Sequence, residues 1–310
     1  MKYTITSLFS GCGGLDLGFY GGFQYLNTIY KKLNFSTVFA NDVDKNACLT
    51  FAKNFNHNIV CNDVNNVIDN NILNYTDIVI GGFPCQDFSH AGKRMGFKSK
   101  RGNLYKSMCR VIRSIKPKLF LAENVKGLLT IDSGNAIRQI IEDFESVDYN
   151  VSHKLFKVSD FGVPQKRERV IIIGTQKDSL SSFDFSNINT IQKRISVKNA
   201  IHDLENIREG EIENHMWSKA KKNRGQGNNV INANDFAPTM RAEHHGNIEF
   251  HWNGKRRLSA REVARIQSFP DDFIFYPSTS SAYRQIGNAV PPAFAWHIAK
   301  SIEEFLDDNL

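Results

Sequence analysis

Short apolar runs alternate with stretches of helical periodicity over roughly the first half of the chain. Apolar residues recur every three or four positions over residues 103–115 and 135–144, which is typical of helices. Strands that alternate with helices predict βαβ units in a doubly wound, mostly parallel α/β sheet. Helices then cover both faces, so the strands are expected to be apolar throughout. The predicted strands are residues 4–9, 37–40, 58–61, 77–81, 119–123 and 170–174.

The pattern changes near Asp178, where Asn, Ser, Gly and charged residues replace the periodic segments. This texture predicts a small irregular lobe of loops and short strands. Ser259 and Glu262 then form a capping-box pattern that starts a new helix, and Pro292 opens a last helix with one apolar face. We expect the last helix to pack back on the first sheet. The predicted domains are residues 1–177 with 275–310, and residues 178–274.

Composition adds a charge asymmetry and a cysteine pattern. The net charge is +7, and residues 215–261 hold nine Lys/Arg against three Asp/Glu. Such a basic segment favours a nucleic-acid partner, although a solvated lysine face is the alternative. Five cysteines without CxxC spacing predict neither disulfides nor a metal site. Without a long apolar stretch, we expect a cytoplasmic protein with no membrane partner.

Cys85 is the candidate nucleophile. It follows the apolar run at residues 78–81 on a turn that contains Gly82 and Pro84. Ligand and catalytic residues of such sheets gather outside the carboxyl ends of the strands. A thiolate there would attack an electrophilic carbon. The alternative is a buried cysteine that acts as a small apolar side chain.

A glycine turn after the first strand indicates a ligand loop. Gly11, Gly13 and Gly14 fit either a dinucleotide site or a methyl-donor site. The dinucleotide fingerprint fails because Asp16 stands at its third glycine position, where a carboxylate would repel a pyrophosphate. This argues against an NAD oxidoreductase. Asp42 could bind a ligand or could merely form a turn at its strand end.

These segments resemble, in order, the motifs of DNA (cytosine-5) methyltransferases of the bacterial restriction–modification type. The resemblance runs from about Ser7 to Ala299 and fails between about Asp178 and Lys255. Each motif alone is short, so the ordered set carries the resemblance. The motifs occupy residues 8–16, 40–44, 61–64, 81–89, 123–125, 165–170, 257–270 and 285–292.

The resemblance implies covalent catalysis on cytosine. Cys85 would add to carbon 6 of a cytosine flipped out of double-stranded DNA, which makes carbon 5 nucleophilic. Glu123 would share a proton with ring nitrogen 3, since a dry pocket favours the protonated carboxyl. Arg169 with Arg167 would orient Glu123 and bind the cytosine carbonyl, and Asn124 would hold the Cys85 loop. The Phe83 carbonyl would read the cytosine amino group.

The resemblance also implies S-adenosyl-L-methionine as the cofactor, in the Rossmann-like fold of such methyltransferases. Phe9 would stack on its adenine, the glycine loop would line its amino-acid end, Asp42 would bind the ribose, and Asp63 would bind the adenine amino group. The implied cofactor residues are Phe9, Gly11, Gly13, Gly14, Leu15, Asp42, Val43, Asp63, Val64, Pro84, Leu104, Asn288 and Val290.

DNA contacts are expected from two segments. Residues 86–103 form a basic, glycine-spaced loop that would close over DNA, and a long disordered connection is the alternative. Residues 178–255 would form the target-recognition lobe, in which Arg241, Glu243, His244 and His245 would read base edges. The alternative for the two histidines is a metal site. Because no cysteine lies near those histidines, we expect no metal. The implied DNA-binding residues are Ser89, Lys93, Arg94, Arg101, Thr239, Arg241 and Arg257.

The sequence therefore predicts a site-specific enzyme, DNA (cytosine-5-)-methyltransferase. It would protect host DNA from a cognate restriction endonuclease without an obligate complex, and it would be a monomer. Two alternatives remain: an RNA cytosine-5 methyltransferase and a catalytically silent DNA-binding protein. The long segment between Arg169 and Arg257 favours DNA, and intact Cys85, Glu123 and Arg169 argue against a silent protein.

Overall fold

A computed structural model describes residues 3–70, 72–84, 104–191, 193–222, 224, 227–242 and 247–310. Its strands in chain order are β1 (Tyr3–Leu8), β2 (Phe23–Tyr25), β3 (Thr28–Tyr30), β4 (Phe35–Asp42), β5 (Ile59–Cys61), β6 (Ile78–Gly81), β7 (Leu119–Val125), β8 (Tyr149–Lys157) and β9 (Glu168–Gln176). Its helices are α1 (Gly14–Tyr20), α2 (Lys45–Asn54), α3 (Val64–Asp69), α4 (Leu104–Ile115), α5 (Asn135–Glu145), α6 (Val197–Ile201), α7 (Ala260–Ile266), α8 (Thr279–Asn288) and α9 (Pro292–Asn309).

Seven strands form one mostly parallel sheet in the order β5-β4-β1-β6-β7-β9-β8. The strands from β5 to β7 are parallel to their neighbours, and β9 is antiparallel to both β7 and β8. The chain leaves β1 in one direction for β4 and β5, and later in the other direction for β6 and β7. The order therefore reverses at β1, and the predicted doubly wound fold is confirmed.

Alternating side chains of the central strands enter two separate hydrophobic clusters. Along β7, Leu119 and Leu121 join the cluster that contains α1, α7 and α9 residues, whereas Phe120 and Ala122 join the one that contains α4 and α5 residues. All four side chains are fully buried. Helices thus cover both faces of the sheet, which explains the unbroken apolar strands in the sequence.

The two ends of the chain meet, as the sequence predicts. Helix α9 packs along α1, and the Tyr3 hydroxyl donates a 2.8 Å hydrogen bond to Asp307 near the chain's end. The capping box at Ser259 and Glu262 is also confirmed, since each side chain accepts a hydrogen bond from the other residue's backbone N–H.

Two features were not predicted. Residues 21–35 contain the β2–β3 hairpin, and β8 forms one edge of the large sheet. Because β8 lies at the edge, it is only partly buried and carries polar residues such as Ser152 and His153. Its sequence therefore lacks the apolar run that marks the central strands.

The segment after Asp178 contains only short helices among its described residues before α7. Its apolar side chains, among them Leu180, Phe185 and Ile231, belong to the same hydrophobic cluster as α1 and α9. The boundary predicted at residues 177–178 remains a prediction, and the described part of the segment shares its core with the sheet domain. None of the described helices is long and apolar enough to cross a lipid bilayer.

Candidate active site

The carboxyl ends of four neighbouring strands surround a cavity of about 760 Å³. The residues that follow β1, β4 and β6 line it together with the end of β7 and the end of α8. A ligand site is expected at this position, because crevices form where the strand order of a doubly wound sheet reverses. The volume lies within the range of roughly 300–1,000 Å³ that is typical of small-molecule sites.

The loop after β1 forms the floor of the cavity. Gly11 has φ +56°, and a Cβ placed there would meet nothing within 4 Å, so the backbone is open to a ligand. Gly14 instead packs closely, since a Cβ there would lie 2.4 Å from the Val290 carbonyl oxygen. Phe9 also has a left-handed backbone, at φ +53°, which is strained for a residue with a side chain.

Asp42 and Val43 form the wall beside the loop. One Asp42 oxygen accepts a 2.7 Å hydrogen bond from the Gly11 N–H and the other accepts a 2.8 Å bond from the Asp44 N–H. Burial nevertheless raises the pKa of Asp42. Val43 leaves 71% of its surface exposed at the cavity, an apolar surface suited to a flat ligand ring.

All the predicted cofactor residues line the cavity except Gly13 and Asp63. Gly13 packs against Phe51 and Phe55 at α2. Asp63 is exposed, and its side chain caps α3 by accepting a 2.8 Å hydrogen bond from the Asn65 N–H. The structure thus shows Gly13 in close packing and the Asp63 side chain as a helix cap. Their predicted contacts with the cofactor remain predictions.

Glu123 and Arg169 form a buried ion pair at the cavity. The Arg169 Nε atom lies 2.6 Å from Glu123 Oε1, and the two side chains are 10% and 11% exposed. Burial lowers the pKa of Arg169, and the Glu123 carboxylate partly offsets that effect. The β7–β9 pairing brings the two residues together. Val125 lies opposite Arg169, and Glu123 is two positions before Val125, so Glu123 and Arg169 are diagonal neighbours on the same face of the sheet.

Asn124 holds the turn that leads to Cys85. Its side-chain amide donates a 3.0 Å hydrogen bond to the Phe83 carbonyl oxygen. Gly82 lies directly under Glu123, since a Cβ there would be 2.9 Å from Glu123 Oε2. Pro84 lines the same cavity as Glu123, and Cys85 itself lies outside the described residues.

Arg167 has a different environment from the one predicted. It is 1% exposed and donates hydrogen bonds to the carbonyl oxygens of Met240, Gly287 and Ala289, at 3.0–3.1 Å. It does not line the cavity, and burial drives its pKa well below the usual range for arginine. Arg167 therefore links β9 to Met240 and to the end of α8, and it does not orient Glu123.

Asp16 also requires a correction. Its carboxylate is 1% exposed and accepts hydrogen bonds from Ser7 Oγ at 3.0 Å and Thr37 Oγ1 at 3.4 Å. Because Asp16 lies beneath the loop and does not line the cavity, it would not face a pyrophosphate. Burial raises its pKa to about 7.

The predicted DNA-binding residues divide into three groups. Ser89, Lys93, Arg94 and Arg101 lie outside the described residues, as do Glu243 and the two histidines after it. Arg241 is exposed, and the Thr239 hydroxyl donates a 2.7 Å bond to the Lys166 carbonyl oxygen. Arg257 is 1% exposed and donates to oxygens of five residues, so it supports the lobe from inside instead of contacting DNA.

Burial also reduces the number of cations that residues 215–261 expose to solvent. Arg261 is buried like Arg257, and both nitrogens of the Arg256 fork lie 2.7 Å from the Glu262 carboxylate. These three arginines stabilise the protein's interior. The exposed cations of residues 215–261 are Lys219, Lys221, Lys222, Arg224, Arg241 and Lys255.

Sequence reasoning missed several residues that line the cavity. Ser10 and Cys12 belong to the first loop, and Thr130 and Ile131 come from the helical turns after β7. Arg284 lines the cavity from α8. The motif at residues 285–292 could have directed attention one residue upstream to Arg284, whereas no local pattern marks Thr130 or Ile131. Within the described residues, no group of three or more His, Cys, Asp or Glu is arranged to hold a metal ion.

A strand-order reversal, an open glycine loop and a cavity at the sheet edge define a Rossmann-like α/β fold with a ligand site. The family model of C-5 cytosine-specific DNA methylases matches residues 3–235 and 204–304. The chain belongs to this family. The family predicted from the ordered motifs, and with it the enzyme class DNA (cytosine-5-)-methyltransferase, is therefore confirmed.

Relatives match along nearly the whole chain. The chain is 38% identical to the type II methyltransferase M.NgoFVII of Neisseria gonorrhoeae, over 99% of this chain and 88% of that protein. It is 36% identical to M.FnuDI of Fusobacterium nucleatum, over 98% and 95%. A prophage-encoded DNA modification methyltransferase from E. coli shares the fold, with a TM-score of 0.76, 24% identity and coverage of 99% and 100%.

Proposed function

We propose that the protein is the modification enzyme of a type II restriction–modification system, and that it methylates carbon 5 of one cytosine within a short double-stranded DNA sequence. The names of its relatives support the type II assignment. The observation that carries the chemistry is the Glu123–Arg169 pair, 2.6 Å apart, in the same cavity as the turn that leads to Cys85. Methylation would protect host DNA from a cognate endonuclease.

The cavity fits S-adenosyl-L-methionine, which supplies the methyl group when bound. The Gly11 backbone is open, Val43 offers an exposed apolar wall, and Asp42 lies beside the loop as a hydrogen-bond acceptor. Phe9 lines the cavity on a strained backbone that is held by the 3.0 Å bond from the Ser10 N–H to the Asn41 carbonyl oxygen. These features suit a nucleoside that carries an uncharged ring and two ribose hydroxyls.

In the proposed reaction, the Cys85 thiolate forms a bond to carbon 6 of cytosine. The electron pair of the carbon 5–carbon 6 double bond moves through carbon 4 toward ring nitrogen 3, which takes up a proton that it shares with Glu123. Arg169 keeps Glu123 in place by its ion pair and presents its remaining guanidinium N–H groups to the cytosine carbonyl. After carbon 5 is methylated, loss of its proton restores the double bond and expels the thiolate.

The Phe83 carbonyl is proposed to select cytosine. The Asn124 amide fixes this carbonyl at 3.0 Å and leaves its second lone pair for an amino group. Cytosine carries an amino group at carbon 4, whereas uracil and thymine carry an oxygen there. A base buried in a duplex cannot reach this position, so the cytosine must be flipped out at a cost of roughly a few kcal/mol.

Methyl transfer from labelled S-adenosylmethionine to duplex DNA tests the proposal, with Cys85→Ser as the control. We expect label on carbon 5 of cytosine in one short sequence, and none with the variant. Label on transfer RNA but not on DNA would support an RNA enzyme instead. DNA binding without transfer to either substrate would support a silent binding protein, and transfer by Cys85→Ser would contradict the covalent mechanism.

A further inference from the structure

Arg284 stands out among the charged residues of the cavity. It is exposed at the cavity wall on α8, and its side chain forms no hydrogen bond or ion pair with any residue that the structure describes. The other described charged side chains of the cavity have hydrogen-bond or ion-pair partners. Asp42 accepts two backbone N–H groups, Asp44 caps α2, and Glu123 pairs with Arg169. Arg284 is therefore a cation that a ligand can use without breaking an existing contact.

The contacts of the glycine loop indicate how an elongated ligand would lie in the cavity. At one end of the loop, Gly11 bonds to Asp42, next to the exposed Val43 wall. At the other end, Cys12 Sγ lies 3.8 Å from the Gln285 carbonyl oxygen and Gly14 packs against Val290. A ligand with its nucleoside beside Asp42 and Val43 would thus extend along the loop toward α8.

Arg284 lies at that far end. It is one helical turn before Asn288, so the two side chains share one face of α8, and both line the cavity. The group that a methionyl donor places farthest from its adenine includes an α-carboxylate. An arginine fork binds carboxylates with two parallel hydrogen bonds.

We propose that Arg284 binds the α-carboxylate of S-adenosylmethionine. This inference rests on the proposed function, because it assumes that cofactor. It adds a residue that anchors the amino-acid end of the donor, whereas the glycine loop supplies only backbone groups there. The alternative partner for an exposed arginine near the active site is a DNA phosphate.

Isothermal titration calorimetry of the full chain without DNA tests the assignment. The two probes are S-adenosylhomocysteine, which carries the amino-acid group, and 5′-methylthioadenosine, which lacks it. We expect Arg284→Ala to raise the Kd for S-adenosylhomocysteine about tenfold, because one charge-assisted interaction is lost. The Kd for methylthioadenosine should stay unchanged. Arg284→Lys should fall between the two. Arg138→Ala, which removes an exposed arginine of α5 outside the cavity, is the matched control and should change neither Kd.

The outcomes separate the two proposals. If the unmodified protein binds neither probe, the proposed cofactor is wrong. If it binds S-adenosylhomocysteine but Arg284→Ala weakens both probes equally or neither, the carboxylate assignment is overturned while the cofactor stands. Weaker duplex binding by Arg284→Ala, with an unchanged Kd for S-adenosylhomocysteine, would also overturn it and would assign Arg284 to a phosphate.

Discussion

Glu123 and Arg169 depend on each other because both are buried. An exposed ion pair contributes little, but removing one partner of a buried pair leaves an uncompensated charge. The chain offers a direct comparison, since Glu168 precedes Arg169 and pairs with Lys126 at 2.8 Å with side chains 30% and 57% exposed. The two glutamates therefore test burial with the same chemistry.

Glu123→Gln should reduce the rate of methyl transfer by about 10²–10⁴-fold, because it removes the proton donor. It should also lower the free energy of unfolding by about 3–5 kcal/mol, since Arg169 keeps its charge without a partner. Single-turnover methylation and urea unfolding measure the two effects. Glu168→Gln is the control, with an expected loss of stability of about 1 kcal/mol or less. Equal losses for the two variants would contradict the buried-pair argument.

Asp16 gives a pH-dependent stability of defined sign. Burial raises its folded-state pKa from 3.8 to about 7, so the folded state binds the proton more tightly than the unfolded chain. Its contribution to stability is therefore complete below about pH 4 and is lost as the pH rises to about 7. Ser7 and Thr37 solvate the carboxylate only in part, since burial outweighs their hydrogen bonds.

Asp16→Asn should remove this pH dependence, because the amide has nearly the same shape and does not ionise. Relative to the unmodified protein, the free energy of unfolding of the variant should rise as the pH increases from 4 to 7. At pH 8 the difference should reach about 4 kcal/mol. Urea unfolding at pH 4, 6 and 8 measures the difference. A difference that is constant across this range would show that Asp16 is not protonated on folding.

At the level of elements, a close contact between helices α1 and α9 joins the two ends of the chain. A Cβ at Gly18 of α1 would lie 2.3 Å from the Cβ of Ala295 in α9. Glycine is needed at position 18 so that the two helices can approach closely. At a helical position without this contact, alanine would be more stable than glycine. This contact positions α1, whose first residue, Gly14, lines the cavity.

Gly18→Ala should lower the free energy of unfolding by about 1–3 kcal/mol, because overpacking outweighs the gain in helix propensity. Gly127→Ala is the matched control, since a Cβ there meets only Val125 Cγ2 at 3.9 Å. Thermal unfolding of the two variants measures the contrast. If Gly18→Ala is neutral or stabilising, α1 and α9 do not pack as closely as the structure shows.

Elements that are buried on both sides were predictable from sequence, because burial requires a continuous apolar run. The strands β1, β6, β7 and β9 are of this kind. Edge strand β8 and the β2–β3 hairpin lacked such a run, so the sequence did not reveal them. Within the site, motif order located Glu123, Arg169 and the glycine loop. The partners of Arg167, Arg257 and Asp16 depend on contacts between distant segments, which no local pattern specifies.

At the level of the whole molecule, Arg257 organises the described part of residues 220–257. Its guanidinium donates to the carbonyl oxygens of Ala220, Lys221, Gly227 and Ile248, and to the Asn228 side chain. One buried residue thus joins three separate stretches of chain. Without it, several buried carbonyl groups would lose their partners.

Arg257→Ala should weaken DNA binding and sequence discrimination while the Kd for S-adenosylhomocysteine stays unchanged, because none of these contacts lines the cavity. The variant should also lose about 3 kcal/mol or more of stability. Duplex binding, calorimetry and urea unfolding measure these effects. Lys255→Ala, which removes an exposed neighbouring cation, is the control and should affect only the salt dependence of DNA binding. Loss of S-adenosylhomocysteine binding in Arg257→Ala would show that the effect is global.

The stretch from Gln165 to Arg169 holds two parts of the molecule at once. Gln165 Oε1 accepts a 2.8 Å bond from the Met240 N–H, the Lys166 N–H donates a 2.7 Å bond to the Ala237 carbonyl oxygen, and Arg169 pairs with Glu123. Hybrid proteins in which the segment after Asp178 is exchanged should therefore keep residues 237–241 from the same parent as β9. A junction placed upstream of Ala237 would replace the backbone groups that bind Gln165 and Lys166, so the strand that carries Arg169 would lose this support beside the cavity.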